Sequence, residues 1–181
     1  QLPRIAQLIG KTNQFNLTTR RHGMPQLTAF IQSANYVHFG LRLRDRYADH
    51  GLVSVMIARC EGHLLDIDTW LMSCRVIGRT VEATMLEYLC RQAARLGCTV
   101  LQGTYIPTQK NAMAADAYAK HGFELFDQPN GHQVWRYDLQ TRGPESTSGG
   151  DPAPRRQPRR PRHRSHWGPD GEACPPFEWR R

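Results

Sequence analysis

The chain has 181 residues, enough for one domain with a buried core, and a formal charge of +8 at pH 7. Residues 141–181 hold nine basic and five acidic residues, net +4, which leaves fifteen and eleven, also +4, in residues 1–140. The folded part is therefore only mildly basic. It also lacks an RNA-recognition motif, and no apolar run approaches the ~18 residues of a membrane span, so nucleic acid is a partner expected only of the tail; the odd count of five cysteines without zinc-like pairing makes a reduced, cytoplasmic setting the expectation.

In chain order, RIAQLIGKTNQFNLTTRR is a short apolar-periodic piece followed by an amide-rich connector. MPQLTAFIQSA predicts a helix with Pro25 in its first turn, where a missing N–H does no harm. From Tyr36 the period becomes two: Val37, Phe39, Leu41 and Leu43 alternate with polar residues and Gly40, as in a half-buried strand. LVSVMIARC and HLLDIDTWLMSCRV form an antiparallel hairpin about Glu61 and Gly62. In VEATMLEYLCRQAARLG, Val81, Met85, Leu89, Ala93 and Leu96 share one helical face, Glu87 and Arg91 pair on another, and Gly97 stops the helix. CTVLQGTYI is a buried strand, AMAADAYAKHG a short helix, and FELFDQ with HQVWRYDL a closing hairpin over Pro129–Gly131.

The fold class is thus α/β in the mixed (α+β) sense, with helices flanking a mostly antiparallel sheet. Three parts are expected: residues 1–35 as an N-terminal linker with helical character, 36–140 as the domain, and 141–181 as a disordered tail holding eight of the twelve prolines. The text opens on Gln1 in mid-pattern, so the chain is expected to be the back part of a longer polypeptide.

Two stretches carry chemistry. Arg75-Val76-Ile77-Gly78-Arg79-Thr80 joins a strand to the long helix, and the unpaired amides at such a helix start suit a phosphate. Asn111, Ala114, Tyr118, Gly122 and Phe123 stand at fixed spacing after a later strand. Together they resemble the GNAT acyltransferase superfamily, whose fold the order of strands and helices also matches. In that resemblance Arg75, Gly78, Arg79 and Thr80 hold the pyrophosphate of an acyl carrier, Asn111 binds the carrier's amides, and Tyr118 is the general acid that protonates a departing thiolate. Thr80 departs from the pattern, standing where Gly or Ala is expected. For Asn111 a helix cap, and for Tyr118 packing on the sheet, remain the structural alternatives.

KTNQFNLTTRR, LMSCRVIGR and YIPTQKN narrow the likeness to the C-terminal GNAT-like region of FkbH-like (HAD-IIIC) glyceryl transferase/phosphatase proteins. This resemblance implies an upstream HAD-like domain, an acyl carrier protein as partner, its phosphopantetheine (or CoA) as carrier, and transfer of a three-carbon acyl group. Phosphatase chemistry is not expected of this chain, because LLDIDTW puts Trp70 where the HAD motif requires Thr. Cys74 is then either a small residue buried in a strand or the nucleophile of acyl transfer, with Arg75 and a helix start beside it. Cys60, Cys90 and Cys98 are expected in the core. No C-x-x-C and no histidine ligand spacing occurs, so no metal is expected. Two rival readings are a CoA-dependent GNAT N-acetyltransferase, in which a bound amine needs no cysteine, and a non-catalytic module that docks the carrier protein.

Overall fold

A computed structural model describes residues 2–44, 46, 48–78 and 80–141, together with the backbone of residues 177 and 178. The remainder of the expected tail, and Arg79 of the expected phosphate turn, lie outside the described residues.

The elements follow the expected order. Helices α1 (Leu2–Lys11) and α2 (Met24–Gln32) precede strands β1 (Tyr36–Arg44), β2 (Asp49–Glu61) and β3 (Leu64–Met72). Helix α3 (Val81–Arg95), strand β4 (Val100–Tyr105), the one-turn helix α4 (Ala117–Lys120) and strands β5 (Glu124–Asp127) and β6 (Gln133–Asp138) come next. A two-residue strand β7 (Phe177–Glu178) lies against β1. The sheet runs β5-β6-β4-β3-β2-β1-β7, antiparallel except for the β3–β4 pair. Among the described residues no helix is long and apolar enough to cross a membrane.

Each face of the sheet is covered by a different set of helices. On one, Val81, Met85, Leu89 and Ala93 of α3 pack with Tyr118 and Phe123 over Leu65, Ile67, Trp70 and Leu101. Leu96, the fifth residue of the expected stripe, is 42% exposed, because α3 ends at Arg95 and the chain turns at Gly97. On the other face Ile5, Ile9, Leu27 and Phe30 bury against Val55, Ile57 and Leu71. The segment expected as a linker is thus packed onto the sheet over most of its length: an amphipathic helix with Ile5 and Ile9 on one stripe is satisfied only by an apolar partner. The expected alanine-rich helix is broken into a 3-10 turn (Ala112–Ala114) and α4, with Asp116 between them out of helical geometry at φ −99°, ψ 8°.

One irregularity in β3 organises the rest. Ile57 of β2 stands opposite Thr69 and Ala58 opposite Ile67, so Asp68 is an extra, bulged residue. The bulge reverses the alternation: Leu65 and Ile67 face the α3 side, as do Trp70 and Met72, while Leu71 turns to α1 and α2. It also marks where β3 and β4 part, since their pairing runs only from Leu64 opposite Val100 to Ile67 opposite Gly103.

Residues 15–18 fill the gap that opens there. Leu17 N–H donates to the Trp70 carbonyl (3.3 Å), Met72 N–H to that of Phe15 (3.0 Å), and Ile106 N–H, just past β4, to that of Leu17 (2.8 Å). The Thr18 hydroxyl donates to the Asp68 carbonyl at 2.8 Å, and Asn111 Nδ2 to that of Asn16 at 3.0 Å. All four residues are buried, with Phe15 edge-on to Trp70 at 5.4 Å. At about 1 kcal/mol net per hydrogen bond and about 2 kcal/mol for each of the Phe15 and Leu17 side chains, this inserted segment contributes several kcal/mol.

Where β4 meets α4, Tyr118 lies flush on Gly103, and a Cβ built there would stand 2.2 Å from its Cζ. Gly103→Ala is expected to destabilise the domain by about 3 kcal/mol through overpacking, read as a drop in melting temperature. A Tyr118→Ala background should remove most of that penalty; equal penalties in both backgrounds would show that the contact is not the cause.

Candidate active site

β3 ends at Met72 because Ser73 leaves the sheet after one last bond, its N–H donating to the Val53 carbonyl at 2.7 Å. Residues 74–76 then form a single 3-10 turn in which Val76 alone is buried. Cys74 is exposed and lies outside the strand, so the reading of it as a buried strand residue is overturned. The turn reverses the residue's surroundings from core to groove.

That groove, of about 490 Å³, is lined by Cys74, Ser73 and Arg75 on one wall and by Arg4, Lys11, Thr12, Asn13 and Gln14 on the other. Among the described residues its lining includes three cations and no carboxylate, so an anionic ligand is drawn to the thiol. The second wall is held by the inserted segment, since residues 12–14 line the groove just before 15–18 enter the sheet. Arg21 fastens it further, reaching the Ile9 carbonyl at the end of α1 and Asn13 Oδ1.

The expected phosphate turn lies next along the chain. Gly78 (φ +74°) and Thr80 (φ +65°) both take left-handed backbone. Thr80 therefore adopts the conformation its β-branch disfavours, at a cost of about 1–2 kcal/mol. The Gly78 N–H does not stand open for a phosphate: it donates to Glu82 Oε1 at 2.6 Å, and Glu82, in the first turn of α3, is buried. The helix start thus holds an anion of its own, which a phosphate of the same sign would have to expel.

Tyr118 and Asn111 are in the core rather than in the groove. Tyr118 is 1% exposed, burial pushes its phenol far above the usual value with the Asp66 charge adding to the shift, and its hydroxyl has no hydrogen-bond partner among the described residues. A phenol so shifted is a weaker proton donor than an exposed one. Asn111 is fully buried and caps no helix; its amide nitrogen donates to the Asn16 and Ile106 carbonyls, and its oxygen accepts from the Thr108 N–H and hydroxyl. Its two amide hydrogens are spent on the chain itself.

One polar cluster went unread in the sequence. His22 Nε2 donates to Asp68 Oδ2 at 2.7 Å, the Thr69 hydroxyl donates to the same oxygen at 2.8 Å, and Arg20 pairs with the other. Burial works against charge on Asp68, but the His22 and Thr69 hydrogen bonds and the Arg20 cation outweigh it and hold the carboxyl at about 2. Burial likewise lowers His22, but the hydrogen bonds to Asp68 and Gln26 and the Asp68 charge together outweigh it, so the imidazole titrates above its ordinary value. The cluster clamps residues 18–22 onto the bulge. The sequence signal for it was the run of basic residues ending in His22, four residues past Thr18.

The sequence matches no protein-family model and no curated protein. Solved structures share the fold. The GNAT domain of S. lividans PAT aligns with TM-score 0.60 at 12% identity, over 76% of this chain and 85% of that one. The PaiA N-acetyltransferase from Thermoplasma acidophilum, solved in complex with coenzyme A, aligns with TM-score 0.53 at 13% identity, over 63% and 70%. An aminoglycoside 6'-N-acetyltransferase complexed with coenzyme A aligns with TM-score 0.51 at 10% identity, over 65% and 82%. The domain has the GNAT fold.

Two outcomes follow from the site's buried polar groups. Tyr118→Phe removes a hydroxyl that is desolvated without a partner, so stability should stay level or rise by about 1 kcal/mol; a clear loss in thermal unfolding would mean that the hydroxyl is bonded. The clamp should make stability pH-dependent at both ends. Asp68 is depressed, so its contribution is complete above the ordinary carboxyl range and is lost as pH falls through about 2. His22 is raised, so its contribution is complete below its ordinary 6.5 and is lost as pH rises through the elevated value. Denaturant unfolding of the parent against Asp68→Asn should show the difference largest in mildly acidic solution.

Proposed function

We propose that this domain is an acyltransferase that works through Cys74, passing a glyceryl group from 1,3-bisphosphoglycerate to the pantetheine thiol of an acyl carrier protein. The observation that carries the reading is the exposed Cys74 in a groove whose charged side chains are all cations. Such a site draws an acyl phosphate to a thiol. The likeness of TNQFNLTTRR and SCR to FkbH-like proteins supplies the acyl group and the carrier protein, and with them the upstream HAD-like domain and polyketide assembly as the setting.

The chemistry takes two steps. The Cys74 sulfur attacks the acyl carbonyl; a C–S bond forms, the C–O bond to the C1 phosphate breaks, and that phosphate leaves with the bonding pair while the thiol proton passes to solvent, giving a 3-phosphoglyceryl thioester whose remaining phosphate ester the upstream HAD-like domain would hydrolyse with water. The carrier's thiol then attacks the resulting thioester, its C–S bond forms, and Cys74 leaves as thiolate and recovers a proton. Arg4, Lys11 and Arg75 would screen the donor's charge as it approaches and as phosphate leaves. Nothing in either step requires Tyr118 in its buried position.

A second reading, N-acetyl transfer from CoA to an amine, is favoured by the coenzyme A bound to two of the structural neighbours. It has no use for Cys74. Intact-mass measurement after exposure to enzymatically generated 1,3-bisphosphoglycerate separates the two. A 3-phosphoglyceryl adduct on the parent chain, absent from Cys74→Ala and discharged by a holo carrier protein, is the expected result. An adduct that persists in Cys74→Ala, or no adduct on the parent, overturns the Cys74 mechanism.

A further inference from the structure

The gap between β3 and β4 is the place in this fold where a ligand could join the sheet. Two parallel strands that bond over four residues and then part leave Trp70 and Met72 on one side and Ile106 on the other with backbone groups to satisfy. A helix start lies just along the chain from the end of β3. A diphosphate anchored at that helix start and an amide-bearing arm laid along the open strand edge would together fill the site, and this is the chemistry of coenzyme A.

In this chain the protein itself fills the gap between the strands and takes one amide of the turn before the helix. The Glu82 carboxylate takes the Gly78 amide at 2.6 Å. Phe15 and Leu17 take the bonds of β3, the Leu17 carbonyl takes that of Ile106, and the Asn16 carbonyl is held by Asn111. The side chains of Phe15 and Leu17 continue into the main core, so the segment does not lie on the surface of the gap but closes it through its depth.

We infer that residues 15–18 are a built-in occupant of the carrier cleft, and that the domain excludes coenzyme A from it. A carrier thiol must then come from outside, along the groove that residues 12–14 line. The exclusion stands on the cleft alone. Only the outside route rests on the Cys74 reading.

The test is calorimetry and thermal melting of the chain with coenzyme A at millimolar concentration, run beside Glu82→Ala, which clears the turn and leaves the inserted segment in place. Neither protein should give binding heat or a rise in melting temperature. Hydrogen exchange at the Leu17, Met72 and Ile106 amides should be unchanged by the ligand. Micromolar binding to the parent, or gain of binding in Glu82→Ala, would overturn the inference, as would loss of protection at those amides when coenzyme A is added. The 3-phosphoglyceryl adduct on Cys74 is measured separately. Its absence leaves the exclusion standing, and coenzyme A binding in a chain that still forms the adduct removes the exclusion alone.

Discussion

The bulge at Asp68 is the constraint from which the site's arrangement follows. One extra residue in β3 rotates everything after it, so that Trp70 and Met72 keep facing the larger core while the strand's free edge turns away from β4. An open edge buried beside an apolar core is costly, since each unsatisfied backbone group forfeits about 1–3 kcal/mol. The chain meets that demand with its own residues 15–18. Because the next residues upstream must then emerge beside the end of β3, they form the opposite wall of the groove over Cys74. A single local irregularity thereby places the thiol, its cationic surroundings and the inserted segment together.

The same region sorts charge by depth. The acids, buried Glu82 at the α3 start and half-buried Asp68 at the bulge, are each spent on holding the protein's own elements. The cations Arg4, Lys11 and Arg75 are left at the groove surface. A ligand therefore meets a positive, thiol-bearing surface and finds the inner anion sites already neutralised. This is an arrangement for a phosphate that comes and goes rather than for one that is held.

Much of this was readable from local pattern. The stripe of Val81, Met85, Leu89 and Ala93 defines α3, the alternation from Val37 defines β1, and the order of elements identifies the fold. What could not be read arises from contacts between residues far apart in the chain. The bulge is invisible in LLDIDTWLM, because it exists only in register with β2. The exposure of Cys74 depends on where the bond to Val53 ends the strand, which apolar neighbours do not reveal. The amide-rich TNQFN reads as a connector, because its partners, Trp70, Met72, Ile106 and Asn111, lie more than fifty residues away. Glu82 stands in the first turn of α3, and that it reaches back to Gly78 depends on the left-handed turn between them, which the sequence does not reveal.

The clamp formed by Arg20, His22 and Asp68 gives the inserted segment two ends of different kind. At the Thr18–His22 end the fastening is ionic and sits near the surface, where dissolved salt screens it and protons compete for it. At the Phe15–Asn16 end it is neutral amide chemistry under fully buried side chains, indifferent to both. Salt or acid therefore acts first on the Thr18–His22 end and, through Arg21, which holds the Ile9 carbonyl and Asn13, reaches the groove wall as well.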